Sequence, residues 1–321
     1  MNFQNIPPVE TNKQLLDLAF SKARVKGKSK KLKGNWLQII RQKEALKLDI
    51  VKDTVVPRLD KVLKSFPATI DLSSFYTKLM DLTLDHFQYK KSLGAVNWAI
   101  GKIRVLHKSY VSKIIKCKER QDIKNLSKQF YGRLSSLLKQ ISVNLTYLET
   151  SRRIMKDYPD IKELFTVCVY GFPNVGKTTL LNKLTGTKAQ VAAYAFTTKS
   201  VNAGYFKVDD KKVQVLDVPG TLARKEKMNV IELQAELVVK ELADVIVYVF
   251  DLSEQGGFSI KQQEKLLQNL GQKKKVLVYL SKLDLVGPEV LAGFKEKYYS
   301  LEDIKDKIIS FVEIDPEPVV D

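Results

Sequence analysis

Residues 171–178 read Gly171-Phe172-Pro173-Asn174-Val175-Gly176-Lys177-Thr178, the spacing G-x-x-x-x-G-K-[ST]. A loop of this kind gathers backbone N–H groups around a polyphosphate, with the positive end of a following helix behind them. Main-chain donors would come from Asn174, Val175, Gly176 and Thr179. Lys177 would reach the outer phosphates, and the Thr178 hydroxyl would take one Mg²⁺ position. Two later loops extend the same chemistry. The apolar run 213–216 ends at Asp217-Val218-Pro219-Gly220. Asp217 can hold Mg²⁺ through a water there, and the Gly220 N–H can bond a γ-phosphate. The run 276–280 ends at Ser281-Lys282-Leu283-Asp284. A carboxylate at Asp284 accepts both the N1–H and the 2-amino hydrogens of guanine, a donor pair that adenine lacks; Lys282 belongs to the same base-binding loop. Together the three loops imply a site for GTP or GDP with Mg²⁺.

Between the first two motifs lies Ala193-Tyr194-Ala195-Phe196-Thr197-Thr198, which reads as a loop beside the nucleotide. Thr198 is the first choice as a Mg²⁺ ligand that is ordered only with the γ-phosphate present, and Thr197 the second. Thr221 and Leu222 follow Gly220, so the glutamine that orients water in Ras-like hydrolysis is missing. Intrinsic turnover is therefore expected to be slow, on the order of 10⁻⁴ s⁻¹ or below. Asn174 stands where an asparagine can help hold a K⁺ ion near the place of an arginine finger. Lys177, Thr198, Gly220 and Asn174 are the candidate catalytic set.

These loops need a scaffold. From 161 onward, short β-branched runs (164–170, 201–208, 212–217, 244–250, 276–280) alternate with helical patterns near 177–185, 229–242, 258–271, 288–294 and 301–310. The alternation predicts a mostly parallel sheet with helices on both faces, the nucleotide loops lying at the strand C-terminal ends. Residues 1–160 instead show helical periodicity. Thr11-Asn12-Lys13-Gln14 reads as a capping box. The basic stretch Lys22 to Lys33, interrupted by Gly27, reads as a loop. A helix over 35–65 is expected to kink or break at Pro57, and another over 72–85 to be capped by Asp71. One stripe runs through Val96, Ile100, Ile103, Tyr110, Ile114 and Cys117. A second runs through Ile123, Leu126, Phe130, Leu134, Leu137, Ile141, Leu145, Leu148 and Met155. The two predict antiparallel helices in an all-α bundle. The expected architecture is an all-α basic bundle over 1–160, an α/β domain over 161–312 and an acidic tail over 313–321.

Charge separates the halves. The 321 residues carry +18. Residues 1–160 hold 32 Lys and Arg against 14 Asp and Glu, while residues 161–321 hold 22 of each, so the whole surplus lies in the first part. A basic module joined to a neutral one suggests docking on a polyanion. Two cysteines, Cys117 and Cys168, form no disulfide framework or zinc spacing, and His86 and His107 read as structural. No apolar run reaches the ~20 residues of a membrane span. A monomeric cytoplasmic protein without a secretory leader is the simplest expectation.

The phosphate loop, Tyr194-Ala195-Phe196-Thr197-Thr198, Asp217-Val218-Pro219-Gly220 and Asp251-Leu252-Ser253-Glu254 together resemble the Obg-related GTPases, and more narrowly the nucleolar GTP-binding protein family. Phe3-Gln4-Asn5-Ile6-Pro7-Pro8-Val9 resembles that family's opening, and the hairpin ending Tyr147-Leu148-Glu149 its N-terminal bundle. The resemblance implies a GTPase that binds the pre-large ribosomal subunit and assists its maturation, the bundle packing on ribosomal RNA. It implies a nucleolar location if the source is eukaryotic, and a short, archaeal-type member lacking the long C-terminal extension. Ser281 replaces the family's usual Asn, Val218 a common Thr and Ala193 a common Pro. The last base-contacting loop, usually Ser-Ala-Lys, is degraded. Tyr299-Ser300-Leu301 is the nearest candidate, with the Leu301 N–H meeting guanine O6.

Two other functions compete. One is a regulatory GTPase whose basic bundle docks on a protein or an anionic membrane. The other is an RNA-binding assembly protein with a nearly inactive GTP site, which the missing glutamine and Ser281 would explain.

Overall fold

The computed structural model describes residues 3–29, 34–159, 161–186, 192–196, 199–208, 210–218, 230–270 and 274–314. Residues 30–33 of the basic stretch and most of the acidic tail lie outside them. Among the described residues the helices α1 (Asn12–Ser29), α2 (Trp36–Ser65), α3 (Ser74–Thr83), α4 (His86–Lys116), α5 (Arg120–Gln140) and α6 (Ser142–Lys156) come first. The first cap forms as the sequence suggests. The Gln14 N–H donates to Thr11 Oγ1 at 3.3 Å, and the Thr11 N–H to Gln14 Oε1 at 2.8 Å. Asn35 and Gln38 make the same reciprocal pair at the start of α2.

Several boundaries differ from expectation. Helix α1 continues through Lys22, Arg24, Lys26 and Gly27, because buried Leu15, Ala19 and Ala23 keep its apolar face engaged. Helix α2 is one element through Pro57. The missing N–H costs one hydrogen bond, but buried Val51, Val55, Leu59 and Val62 run along one face on both sides of it. Helix α3 starts at Ser74, with the Ser73 carbonyl accepting from the Thr77 N–H; Asp71 instead closes a preceding 3₁₀ turn. The single stripe through 123–155 divides into α5 and α6 at Ile141 (φ −95°, ψ 6°). Its buried face uses Ser127 and Leu138, while Leu126 and Leu137 are only half-buried.

By packing, the chain divides into two compact units: residues 2–71 with 83–156, and residues 72–82 with 157–321. A single cut at 160 does not describe this, because α3 leaves the bundle. Ser74 Oγ and Lys78 Nζ donate to the two carboxylate oxygens of Glu241 at 2.7 and 2.6 Å, the lysine foremost in holding that carboxyl below its ordinary range. Tyr76 Oη donates to the Pro159 carbonyl at 2.7 Å. In the helical unit His107 has a structural role, its Nε2 lying 2.7 Å from Asp49 Oδ1.

Glu149 ties the N-terminal segment to α6. Its carboxylate accepts from Arg152 Nε and Nη2, each at 2.8 Å, from Arg153 Nε at 3.0 Å and from the Val9 N–H at 3.0 Å. The Arg152 fork foremost holds its carboxyl at about 2. A depressed folded-state value adds stability that is complete above the unfolded value near 4.5 and disappears as pH falls through about 2. Glu149→Gln should therefore lower the stability read from urea unfolding of the helical signal at pH 7 by about 1 kcal/mol. The gap from the parent chain should close progressively below pH 4.5. A gap of constant size from pH 7 to pH 3 would contradict the assignment.

The second unit holds strands β1 (Thr166–Tyr170), β2 (Ala192–Phe196), β3 (Lys199–Val208), β4 (Lys211–Asp217), β5 (Val245–Asp251), β6 (Lys275–Ser281) and β7 (Tyr298–Tyr299). Its helices are α7 (Lys177–Thr185), α8 (Val230–Leu242), α9 (Ile260–Asn269), α10 (Pro288–Ala292) and α11 (Leu301–Ile314). The sheet order is β2-β3-β4-β1-β5-β6-β7. From β4 to β7 the pairing is parallel; β2 and β3 add an antiparallel edge. Every residue of β1 and β5 is buried, so the centre of the sheet is covered on both faces. Cys168 is one of these core residues, and burial foremost pushes its thiol up to about 12. The expected loop at 193–198 is a correction: 192–196 form β2, with Ala192 opposite Ala203 and Phe196 opposite Lys199.

Candidate functional site

Parallel pairing brings the C-terminal ends of β4, β1, β5 and β6 to one edge of the sheet, carrying Asp217, Gly171, Asp251 and Ser281 in that spatial order. The phosphate loop leaves β1 at Gly171 (φ +151°), where a Cβ would sit 2.7 Å from the Val249 carbonyl oxygen. It enters α7 at Gly176 (φ +93°). Buried Val175 pins the loop from inside, and Phe172 stacks on Phe258 with centroids 4.4 Å apart. The Lys177 stem is buried, and its ammonium donates to the Phe172 carbonyl at 2.7 Å, closing the loop on itself. Asn174 (φ 61°), Thr178 and Thr179 are exposed around the mouth. A polyphosphate there would meet the N–H groups opening a nine-residue helix.

Asp217 faces this loop. Its Oδ2 accepts from Thr178 Oγ1 at 2.5 Å and from Asn202 Nδ2 at 3.3 Å. A hydroxyl and a carboxylate in direct contact form a hard-oxygen pair that suits Mg²⁺ completed by water and phosphate oxygens. Thr178 would ligate the ion directly and Asp217 through water. Among the described residues no cluster of three His, Cys, Asp or Glu offers an all-protein metal cage. Thr197, Thr198 and Gly220 lie outside the described residues. Phe196 ends β2.

At the end of β6, Lys282 takes a left-handed conformation (φ 52°) and the chain turns through a short 3₁₀ segment containing Asp284. Asp284 is exposed, with no hydrogen-bond partner among the described residues. β1 and β6 are separated by β5 alone. Two strand spacings amount to about 10 Å, the scale on which one extended nucleotide joins base to phosphates. Ser281 Oγ donates to the Phe250 carbonyl at 3.1 Å. It lies behind Gly176, whose Cβ would stand 3.5 Å from that of Ser281, and the hydroxyl bond is to β5, where an asparagine amide would brace the phosphate loop.

In the sequence Asp251 stands out only as part of the pattern Asp251-Leu252-Ser253-Glu254. The structure makes it the hub between the phosphate loop and the base loop. The carboxylate, 1% exposed, accepts from Lys282 Nζ at 2.6 Å, Ser253 N at 3.0 Å, Ser253 Oγ at 2.5 Å and Gly256 N at 3.2 Å. Burial pushes this carboxyl up, but Lys282 and Ser253 outweigh it and leave it below the ordinary range. Gln263 of α9 bonds the Asp251 main chain from both sides, at 2.8 Å each. A Cβ on Gly256 would lie 3.5 and 3.7 Å from the Pro173 and Asn174 carbonyl oxygens. A buried acid at a strand end, two residues before a serine, was the available signal.

Ser300 caps α11: its N–H and hydroxyl both bond Asp303 Oδ2, at 3.1 and 2.7 Å. The pairing Tyr279↔Tyr299 sets Leu301 level with Ser281, so the Leu301 N–H opens a helix at the same sheet edge as Asp284. The Ser300 side chain itself is taken by the cap.

Fold and site together define a phosphate-loop GTPase domain. Residues 3–162 match the family described as NOG1 N-terminal helical domain, and residues 166–282 match the 50S ribosome-binding GTPase family. The chain is 37% identical over 257 residues to an uncharacterized protein of Methanocaldococcus jannaschii, covering 79% of this chain and 72% of that one. It is 34% identical to Nucleolar GTP-binding protein 1 of Drosophila melanogaster (90% of this chain, 45% of that one). It is 32% identical to the Saccharomyces cerevisiae protein of the same name (95% and 48%). The chain belongs to the nucleolar GTP-binding protein 1 family. It spans about half the length of the relatives that carry this name.

Proposed function

We propose that this GTPase assists assembly of the large ribosomal subunit by binding ribosomal RNA through its basic helical half under control of the bound nucleotide. One observation carries the reading: the entire +18 surplus sits in residues 1–160, beside a neutral GTPase domain. The family match to a 50S ribosome-binding GTPase supports it. In the nucleotide site, backbone donors of residues 174–179 bind the phosphates, Lys177 crosses from the Phe172 carbonyl to the outer phosphates, and Asp284 selects guanine. Mg²⁺ held at Thr178 and Asp217 supplies charge neutralisation of the phosphates, and K⁺ beside Asn174 would add to it. With Thr221 and Leu222 after Gly220, unassisted turnover is slow.

The test is sedimentation of cell extract through sucrose with a non-hydrolysable GTP analogue. Co-migration with large-subunit particles, lost with GDP and lost in Lys177→Ala, is the expected result. Sedimentation at the top of the gradient under every condition would overturn the proposal. A second reading, an RNA-binding assembly protein with a nearly silent nucleotide site, draws on the Ser281 bond to Phe250. It predicts particle binding that ignores the nucleotide and the Lys177 change.

A further inference from the structure

Helix α4 has no Asp or Glu between His86 and Lys116, and α5 has one, Asp122. Where these helices pack, a groove of about 490 Å³ opens. Trp98, Lys102, Val105 and Lys113 line its α4 side on one helical stripe, Arg133 lines the α5 side, and Tyr110 lies between. Tyr110 is buried, and both Lys113 and Arg133 lie against its ring, at 5.2 and 5.8 Å from the centroid. Among the described residues, Lys102, Lys113 and Arg133 have no carboxylate partner. Two cations against one ring, with no carboxylate partner among the described residues, offer charge-assisted donors to an arriving phosphate.

The apolar part of the groove points to the rest of the ligand. Trp98 is 44% exposed and Val105 67%. The other tryptophan, Trp36, is covered by the Arg120 guanidinium at 4.8 Å. Trp98 has no ring or cation against it among the described residues. A part-exposed indole beside cations that have no carboxylate partner among the described residues suits an unstacked base followed by its phosphates. Duplex RNA keeps its bases stacked, and an acidic peptide would satisfy the cations while leaving the indole uncovered. Lys113 lies fifteen residues beyond Trp98, about 22 Å of helix, so the groove takes a run of nucleotides.

We infer that the α4–α5 groove binds single-stranded RNA, one unpaired base stacking on Trp98 and neighbouring phosphates resting on Lys102, Lys113 and Arg133. This rests on the reading that the helical half binds RNA and names where and in what form. The full chain carrying Trp36→Phe leaves Trp98 as its one tryptophan, so emission reports on the groove. A short labelled oligoadenylate should quench that emission on saturation, whereas duplex RNA or polyglutamate should not. Trp98→Ala should weaken oligoadenylate binding about tenfold, with Trp98→Phe restoring most of it. The double change Lys113→Ala, Arg133→Ala should lower the slope of log K against log [salt] by about 1.4. Parent-like binding by these variants, with unchanged melting curves, would overturn the groove while leaving RNA binding intact. Quenching by polyglutamate equal to that by RNA would overturn it in favour of a protein partner. Failure of the parent chain to bind any RNA would remove the underlying reading and the groove with it.

Discussion

Changing Asp284 to asparagine is expected to weaken GTP binding about 1000-fold and to raise binding of xanthosine triphosphate by a similar factor. The carboxylate is exposed, has no protein donor among the described residues and stands on a turn fixed by Lys282 in the left-handed region. Guanine offers it two N–H donors. Two charge-assisted hydrogen bonds contribute about 3–6 kcal/mol, and 1000-fold corresponds to about 4 kcal/mol. An asparagine turns one acceptor into a donor that faces the guanine 2-amino group. Xanthine carries a carbonyl at that position and accepts from the new amide. Titration calorimetry with GDP and xanthosine diphosphate, Mg²⁺ present, measures both halves of the exchange. Equal affinities of parent and variant for GDP would place the base elsewhere, and the geometry at the Asp217–Thr178 end would then stand alone.

Asp251→Ala should lower the stability of the α/β unit by about 3 kcal/mol. Removing one member of a buried ion pair leaves the other without its counter-charge and strands the remaining donors. Here the stranded groups are the Lys282 ammonium, the N–H and hydroxyl of Ser253, and the Gly256 N–H. For a unit of this size the loss corresponds to a melting shift of about 10 °C. Nucleotide affinity should fall with it, because Gly256 backs the Pro173 and Asn174 carbonyls and Lys282 belongs to the base loop. Asp251→Asn keeps one acceptor oxygen, which can still serve the N–H and hydroxyl of Ser253, and should lose less. The pH dependence has a definite sign. The folded carboxyl is depressed, so its contribution is present above the unfolded value and is lost as pH falls through the folded one. Thermal melts of both variants from pH 7 down to pH 2, below the ordinary value of 3.8, measure this; an unshifted melt in Asp251→Ala at pH 7 would remove Asp251 from its place as hub.

The phosphate loop was legible because its function demands residue types at fixed spacing. Gly171 must pass within reach of the Val249 carbonyl and Gly176 must take a positive φ, and those needs are written one residue at a time. The parallel sheet was legible for a similar reason, since β1 and β5 are buried on both faces and read as unbroken apolar runs. Partnership between distant segments was not legible in this way. Nothing in Ala192–Phe196 announces that it will pair with Lys199–Ala203. Ser300 offered a base-loop match by position, and its side chain went to the helix cap. Pro57 carried a local penalty that the packed stripe on either side of it absorbed.

What the sequence by itself determined was therefore the class of scaffold and the residue types that chemistry would need: a glycine-lined phosphate loop, a carboxylate at the end of a later strand and a basic helical half, each set by local residue types and periodicity. What only the tertiary structure decided was the company those residues keep. It placed α3 with the GTPase unit through Glu241 and Pro159. It joined Asp251 to Lys282 across neighbouring strands. It gathered Lys113 and Arg133 on one tyrosine ring. These are contacts between segments far apart in the chain, fixed by register and packing, and periodicity within any one segment carries no record of the partner.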